Sequence, residues 1–250
     1  MSDGGELVRR FRTARRDREL AVVEGFHALK HALRFGAEVV EAVCADRGEL
    51  EALAAELAPD VSEALLCIVQ PVEPDLIAEL VPQAPRTGVV AVARRPEANF
   101  AGALAEVGPR PMVLLEDPRT MGNLGACIRV AAAADAAGVL TTGPNDPWHP
   151  DAIRGAAGLH WALPVAAVEE VPSTDRPLVA IDPEGEPLGA EALPARAVLA
   201  FGTERQGLSA MLLEQADLRV GIPMREGVSS LNLATAVAIV LFADRLAPCH

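Results

Sequence analysis

Asn123 with Arg129, Glu204 between two glycines, and Ser229, Ser230 and Asn232 are the residues whose types and spacing best suit chemistry. An asparagine both donates and accepts hydrogen bonds. A guanidinium stays protonated, so it binds and stabilises oxyanions rather than taking up a proton. Taken singly, each group also has a local reading. Asn123 would cap a helix and Arg129 would lie on its surface, in EDPRTMGNLGACIRVAAAADAAGV (116–139). Glu204 would support a helix N-terminus in LAFGTERQGLS (199–209). The polar cluster in VGIPMREGVSSLNLATA (220–236) would open a helix that is apolar from Leu231 onward. One serine suffices as a cap, so three small polar residues there ask for a second role.

Familiar sites are missing. No GxxxxGK[ST] or GxGxxG follows a strand-like run, which argues against a P-loop and an ordinary dinucleotide fold. His27 and His31 have the spacing of a zinc pair but no acid in HEXXH order, and no GxSxG occurs. The four cysteines (Cys44, Cys67, Cys127, Cys249) have no CxxC spacing and read as reduced thiols. No metal site is expected.

The elements that must position these groups alternate. Strand-like runs at 20–25, 38–45, 64–70 and 87–94 are separated by helical patterns at 26–36, 47–58 and 73–81, which predicts a small α/β domain over 1–95. Residues 94–111 hold three prolines and no strong period, so 96–110 reads as a linker. From 111 to 250, apolar runs at 111–117, 138–143, 177–182, 197–202 and 218–223 have the texture of buried parallel strands, with a clear helix over 123–136. No run is long enough to span a bilayer, and the N-terminus has no signal-peptide pattern, so a cytoplasmic location is expected.

The formal net charge of −13 argues against a general nucleic-acid binder. Residues 1–18 nevertheless carry six arginines against three acids, a local +3. That is either a solvated, partly disordered arm or a segment that meets phosphate. With no tyrosine and 3% aromatics, stacking platforms for bases are not expected.

In order and spacing the three polar stretches resemble the motifs of the SpoU (TrmH-like) branch of the SPOUT RNA methyltransferases. The matching residues are Asn123 to Arg129, Gly202-Thr203-Glu204-Arg205-Gln206-Gly207-Leu208, and Ile222-Pro223-Met224 followed by Ser229-Ser230-Leu231-Asn232. The resemblance covers roughly 110–247, and VVEGFHALKHAL is loosely similar to the substrate-binding domain that often precedes such domains. Two departures stand out. Gly155 and Ala156 follow Arg154 where the family usually has a serine, and Thr203 replaces an asparagine.

The resemblance implies a knotted SPOUT domain with a mostly parallel sheet and a deep trefoil knot over 111–250, behind a ribosomal-protein L30e-like domain. It implies transfer of a methyl group from S-adenosylmethionine (AdoMet) to a ribose 2′-hydroxyl of structured RNA, ribosomal RNA ranking ahead of transfer RNA, by a homodimer formed through the knotted domain. Arg129, Asn123, Glu204, Ser230 and Asn232 are then the catalytic set. Arg129 would hold phosphate and developing charge, with Glu204 and Asn123 orienting it or the ribose. Ser229 and Ser230 would cap the last helix. Gly202, Ile222, Met224, Leu231 and Ala236 would hold the cofactor. Arg9, Arg10, Arg12, Arg15, Arg16 and Arg154 would touch RNA. The rival readings are a non-catalytic RNA-binding or assembly protein that keeps the SPOUT shape, and an unrelated α/β enzyme using another nucleotide.

Overall fold

Helix α1 (Gly4–Ala14) buries Leu7, Val8, Phe11 and Ala14, a spacing that puts all four on one helical face. In the computed structural model of the chain, which describes residues 4–97, 100–189, 193–203 and 206–246, that face belongs to the core of the first of two units. This unit comprises Met1–Glu97 with Trp148–Ala162, and the second comprises Ala98–Pro147 with Leu163–His250. The arginine-rich N-terminus is therefore a packed helix, not a solvated arm, because its apolar residues are needed to cover a sheet.

That sheet has four strands, β1 (Leu20–Glu24), β2 (Val39–Cys44), β3 (Gln70–Pro71) and β4 (Val89–Arg94), in the order β1-β4-β2-β3. β4 runs antiparallel to both neighbours, and β2 and β3 are parallel. Helices α2 (Phe26–Arg34), α3 (Arg47–Leu57), α4 (Ser62–Ile68) and α5 (Pro74–Leu80) complete the chain up to residue 97. Ile77, Leu80 and Val81 meet Leu7, Phe11, Val22, Val43 and Val90 in one apolar cluster.

The strand expected over 64–70 is instead helix α4, and only Gln70–Pro71 pairs with β2. Leu65 and Val69, four residues apart, are buried while Ala64 and Cys67 between and beside them are exposed. A short apolar run does not by itself distinguish strand from helix. Here the four-residue spacing of its buried positions decides.

The segment 148–162 is a second correction. The sequence places it with 111–250, but helix α8 (Pro150–Gly155) packs on β1, and the 3-10 turn Leu159–Trp161 packs on α2. His31 Nδ1 lies 2.7 Å from the Ala157 carbonyl oxygen, and Trp161 Nε1 donates to Arg94 O at 3.1 Å.

The second unit holds a six-stranded, wholly parallel sheet. Its strands are β5 (Met112–Leu115), β6 (Gly138–Thr141), β7 (Val165–Ala167), β8 (Leu178–Pro187), β9 (Val198–Phe201) and β10 (Leu218–Gly221), in the order β10-β8-β9-β5-β6-β7. Every residue of β5, β6 and β9 is buried, as near-continuous apolar strands covered on both faces must be. Helices α6 (Phe100–Ala105), α7 (Met121–Ala133), α9 (Ala210–Gln215) and α10 (Leu233–Leu246) accompany it, and α7 packs on α10.

The stretch read as a linker contains α6, whose Phe100, Ala103 and Leu104 pack on the core of this unit. Its C-terminal end is fastened by Arg176, which is 3% exposed. The guanidinium donates to the carbonyls of Ala103, Leu104, Glu106, Arg110 and Arg196. A proline-rich composition hid this because the fastening residue lies 72 residues away from Leu104.

Candidate functional site

The middle of β8 and the carboxyl ends of β9 and β10 open onto a cavity of about 550 Å³, a size ordinary for small-molecule sites. Open parallel sheets offer ligand crevices at these strand ends. Gly202, Ile222, Met224, Leu231 and Ala236, the five residues expected to hold a cofactor, all line it. Gly202 has a second reason to be glycine. A Cβ there would sit 2.0 Å from the Gly207 carbonyl carbon and 2.2 Å from the Leu208 nitrogen. The chain itself therefore forbids a side chain at this point.

Thr203 and Gly207 exchange two backbone hydrogen bonds of 3.1 Å and close a tight turn, inside which Gln206 N–H donates to Thr203 Oγ1 at 3.0 Å. This explains how threonine serves where the motif has asparagine. Either side chain can accept from the backbone and hold such a turn. Glu204, expected in the catalytic set, lies outside the described residues, as does Arg205.

The polar helix start resolves differently from expectation. Asn232, not a serine, caps α10. Its Oδ1 accepts from Ala234 N–H at 3.0 Å and from Thr235 N–H at 3.3 Å. Its Nδ2 donates to Asn123 Oδ1 at 3.0 Å, across 109 residues of sequence. One asparagine thus satisfies the helix end and ties α10 to α7. Ser229 and Ser230, released from capping, are exposed and line the cavity. α7 itself begins after Thr120, so Asn123 is inside the helix and serves as a cross-link, not as a cap.

Arg129, also on α7, is exposed and does not line the cavity. Among the described residues its side chain makes no hydrogen bond or ion pair. The structure thus gathers Asn123, Asn232, Ser230 and the five cavity residues into one region and leaves Arg129 as an uncommitted cation on the same helix as Asn123.

Residues 110–242, just over half of the chain, match the SpoU rRNA Methylase family. The chain belongs to this family. A Mycobacterium bovis protein described as an uncharacterized tRNA/rRNA methyltransferase is 36% identical over 169 residues, which cover 62% of this chain and 58% of that relative. The chain therefore spans less than two thirds of that relative's length. The Bacillus subtilis 23S rRNA (guanosine(2553)-2'-O)-methyltransferase RlmP is 28% identical over 233 residues, covering 88% of this chain and 86% of RlmP. Among solved structures, the SpoU methyltransferase AviRb from Streptomyces viridochromogenes, crystallised with AdoMet, is similar over 95% of this chain and 98% of its own, with a TM-score of 0.75 and 25% identity.

The SpoU motifs drew attention to loops after β9 and β10. They did not draw it to the middle of β8, whose Ile181, Asp182 and Glu184 also line the cavity. No motif marks that segment, and only the closeness of β8 to β10 brings it in.

The six arginines expected to meet RNA divide in the first unit. Glu24, its side chain 3% exposed, pairs with both Arg15 and Arg154, and Arg154 also binds Asp151. Arg10 pairs with Glu41. A buried carboxylate without such partners would be costly, so Arg15 and Arg154 are occupied internally. Arg9, Arg12 and Arg16 line a groove on the α1 side, together with Gly5, Val8, Thr13 and Asp17. Those three make no side-chain hydrogen bond or ion pair among the described residues.

Proposed function

We propose that this protein is an AdoMet-dependent RNA methyltransferase that modifies a ribose 2′-hydroxyl of structured RNA, with ribosomal RNA as the first candidate. One observation carries the reading. Two motif segments far apart in sequence meet through Asn123 and Asn232, beside a cavity whose lining includes every residue expected to hold the cofactor. AviRb, crystallised with AdoMet, and RlmP, named as a 23S rRNA 2'-O-methyltransferase, support it.

The cavity suits the cofactor chemically. Phe201, Leu208 and Leu231 offer apolar wall, Ser229 and Ser230 offer hydroxyls, and backbone near Gly202 and Ile222 offers groups to pair with a heterocycle. AdoMet supplies an activated methyl group. The chain's own task is alignment. Ser230 lines the cavity, and the Asn123–Asn232 bond fixes α7 against α10. Arg129 is left to hold the phosphate beside the target ribose and to stabilise negative charge on its oxygen.

The finer fold assignments belong to the same proposal. A knotted C-terminal segment belongs to the proposal on the strength of the family match over residues 110–242. The N-terminal unit would be the L30e-like substrate domain. α10 buries Leu233, Val237, Val240 and Leu241 but leaves Ile239 38% exposed, which supports a homodimer through this helix. Among the described residues no helix is long and apolar enough to cross a membrane, and a cytoplasmic site of action is proposed.

Calorimetry of the purified dimer tests the cofactor. AdoMet or its demethylated product at 100 times its dissociation constant should add ~2.7 kcal/mol of stability. No binding heat in folded, dimeric protein refutes the proposal. AdoMet binding without methyl transfer to any RNA favours the non-catalytic assembly reading.

RNA contact is assigned to Arg9, Arg12 and Arg16. Removing residues 1–18 would also remove Phe11 from the core, so substitution is the cleaner test. Changing all three arginines to glutamine should flatten the salt dependence of RNA binding by about 0.7 per lost phosphate contact on a single strand, with AdoMet affinity unchanged. Coincident salt titrations for the two proteins would return RNA contact to other arginines.

A further inference from the structure

β10 pairs with β8 in step from Leu218↔Val179 to Arg219↔Ala180, then skips to Val220↔Glu186. Residues 181–185 leave that ladder, and Asp182 and Glu184 line the cavity together with Arg219. The segment is closely seated, since a Cβ on Gly185 would come within 2.5 Å of the Arg219 carbonyl carbon and the Val220 nitrogen.

Both carboxylate oxygens of Asp182 are engaged. One carboxylate oxygen accepts from Glu184 N–H at 2.7 Å and the other from Arg219 Nη2 at 3.2 Å, and the side chain is 13% exposed. Arg219 is not saturated. Its Nε is buried without a partner, and that single bond to Asp182 is its only side-chain hydrogen bond among the described residues. The Arg219 side chain as a whole is 41% exposed, and the residue lines the cavity. With one bond of 3.2 Å made by Nη2, the guanidinium keeps further donors for a ligand acceptor in the cavity.

We propose that Arg219 is the specificity residue that receives the carboxylate at the methionyl end of the cofactor, and that Asp182 positions it. The inference rests on the AdoMet reading and names which part of the cofactor meets which side chain. Adenine and ribose present neutral donors and acceptors, the sulfonium and the ammonium are cations, and only the carboxylate is an anion. Arg219 is the one cationic side chain among the described residues of the cavity wall. A guanidinium repels the two cations and binds the carboxylate through paired, charge-assisted bonds.

Calorimetry with two ligands separates this from a structural role. S-adenosylhomocysteine carries the amino-acid end, and 5′-methylthioadenosine keeps adenine, ribose and thioether without it. Arg219→Met, which retains an apolar stem, should bind S-adenosylhomocysteine at least tenfold more weakly and 5′-methylthioadenosine as well as the unchanged protein does. Equal losses for both ligands, or no loss for either, overturn the assignment. Unchanged protein gives a second measurement that needs no variant. Decarboxylated AdoMet, which keeps the sulfonium and ammonium, should bind at least tenfold more weakly than AdoMet, and equal affinity overturns the proposal. If the unchanged protein binds none of these ligands, the cofactor reading itself fails.

Discussion

Arg129→Lys is expected to slow methyl transfer on the order of 10²-fold or more, comparable to removing an oxyanion donor, while AdoMet affinity stays unchanged. Lysine keeps the charge but loses the planar fork that grips a phosphate or alkoxide at two points. The geometry separates the two readouts, because Arg129 lies on α7 outside the cavity lining. It also separates activity from stability. Arg129 is exposed and holds no partner among the described residues, so Arg129→Ala should shift unfolding by no more than about 0.5 kcal/mol. Single-turnover methylation of RNA with saturating cofactor, alongside a denaturant titration, measures both. Near-normal turnover in Arg129→Ala would mean that another residue carries the developing charge.

Arg176→Met should do the opposite, costing stability heavily without entering the chemistry. Five backbone carbonyls share this one buried guanidinium, and among the described residues it forms no ion pair with a carboxylate. Burial pushes the Arg176 pKa below its ordinary value, the neighbouring Arg196 adds to the effect, and Glu106 and Asp175 oppose it. It remains a cation, since arginine is not deprotonated in proteins. The carbonyls of Ala103 and Leu104 belong to the end of α6, where a positive charge also meets the favourable end of the helix dipole.

Methionine fills much of the space and strands the acceptors. By analogy with breaking a buried ion pair from one side, the loss is about 3–5 kcal/mol, or a fall in melting temperature of ~10 °C or more for a domain of this size. Arg176→Lys should recover only part of it, because an ammonium lacks the donors to reach all five carbonyls. Thermal unfolding followed by circular dichroism checks this, and a loss under about 1 kcal/mol would mean that water replaces the guanidinium readily.

Some of this protein was legible in the residues alone. Met112–Leu115 and Val198–Phe201 read as buried parallel strands because a strand covered on both faces has to be apolar throughout. The cavity residues were legible because the SpoU motifs are local in sequence, and all five line one cavity. The strand-like reading of 64–70 failed because a short apolar run fits either period, and only the burial of Leu65 and Val69 against the rest of the unit selects the helix.

Other features depend on partners that are remote along the chain. Asn232 caps α10 and reaches Asn123 at once. Arg15 and Arg154 converge on Glu24, while Arg9, Arg12 and Arg16 line a groove and make no side-chain bond among the described residues. Residues 148–162 join a unit that otherwise ends at Glu97. Local pattern records whether a side chain is apolar, charged or able to cap. Which donor meets which acceptor is decided when folding brings distant segments together, because a hydrogen bond or ion pair acts over a few ångströms of space whatever the separation in sequence.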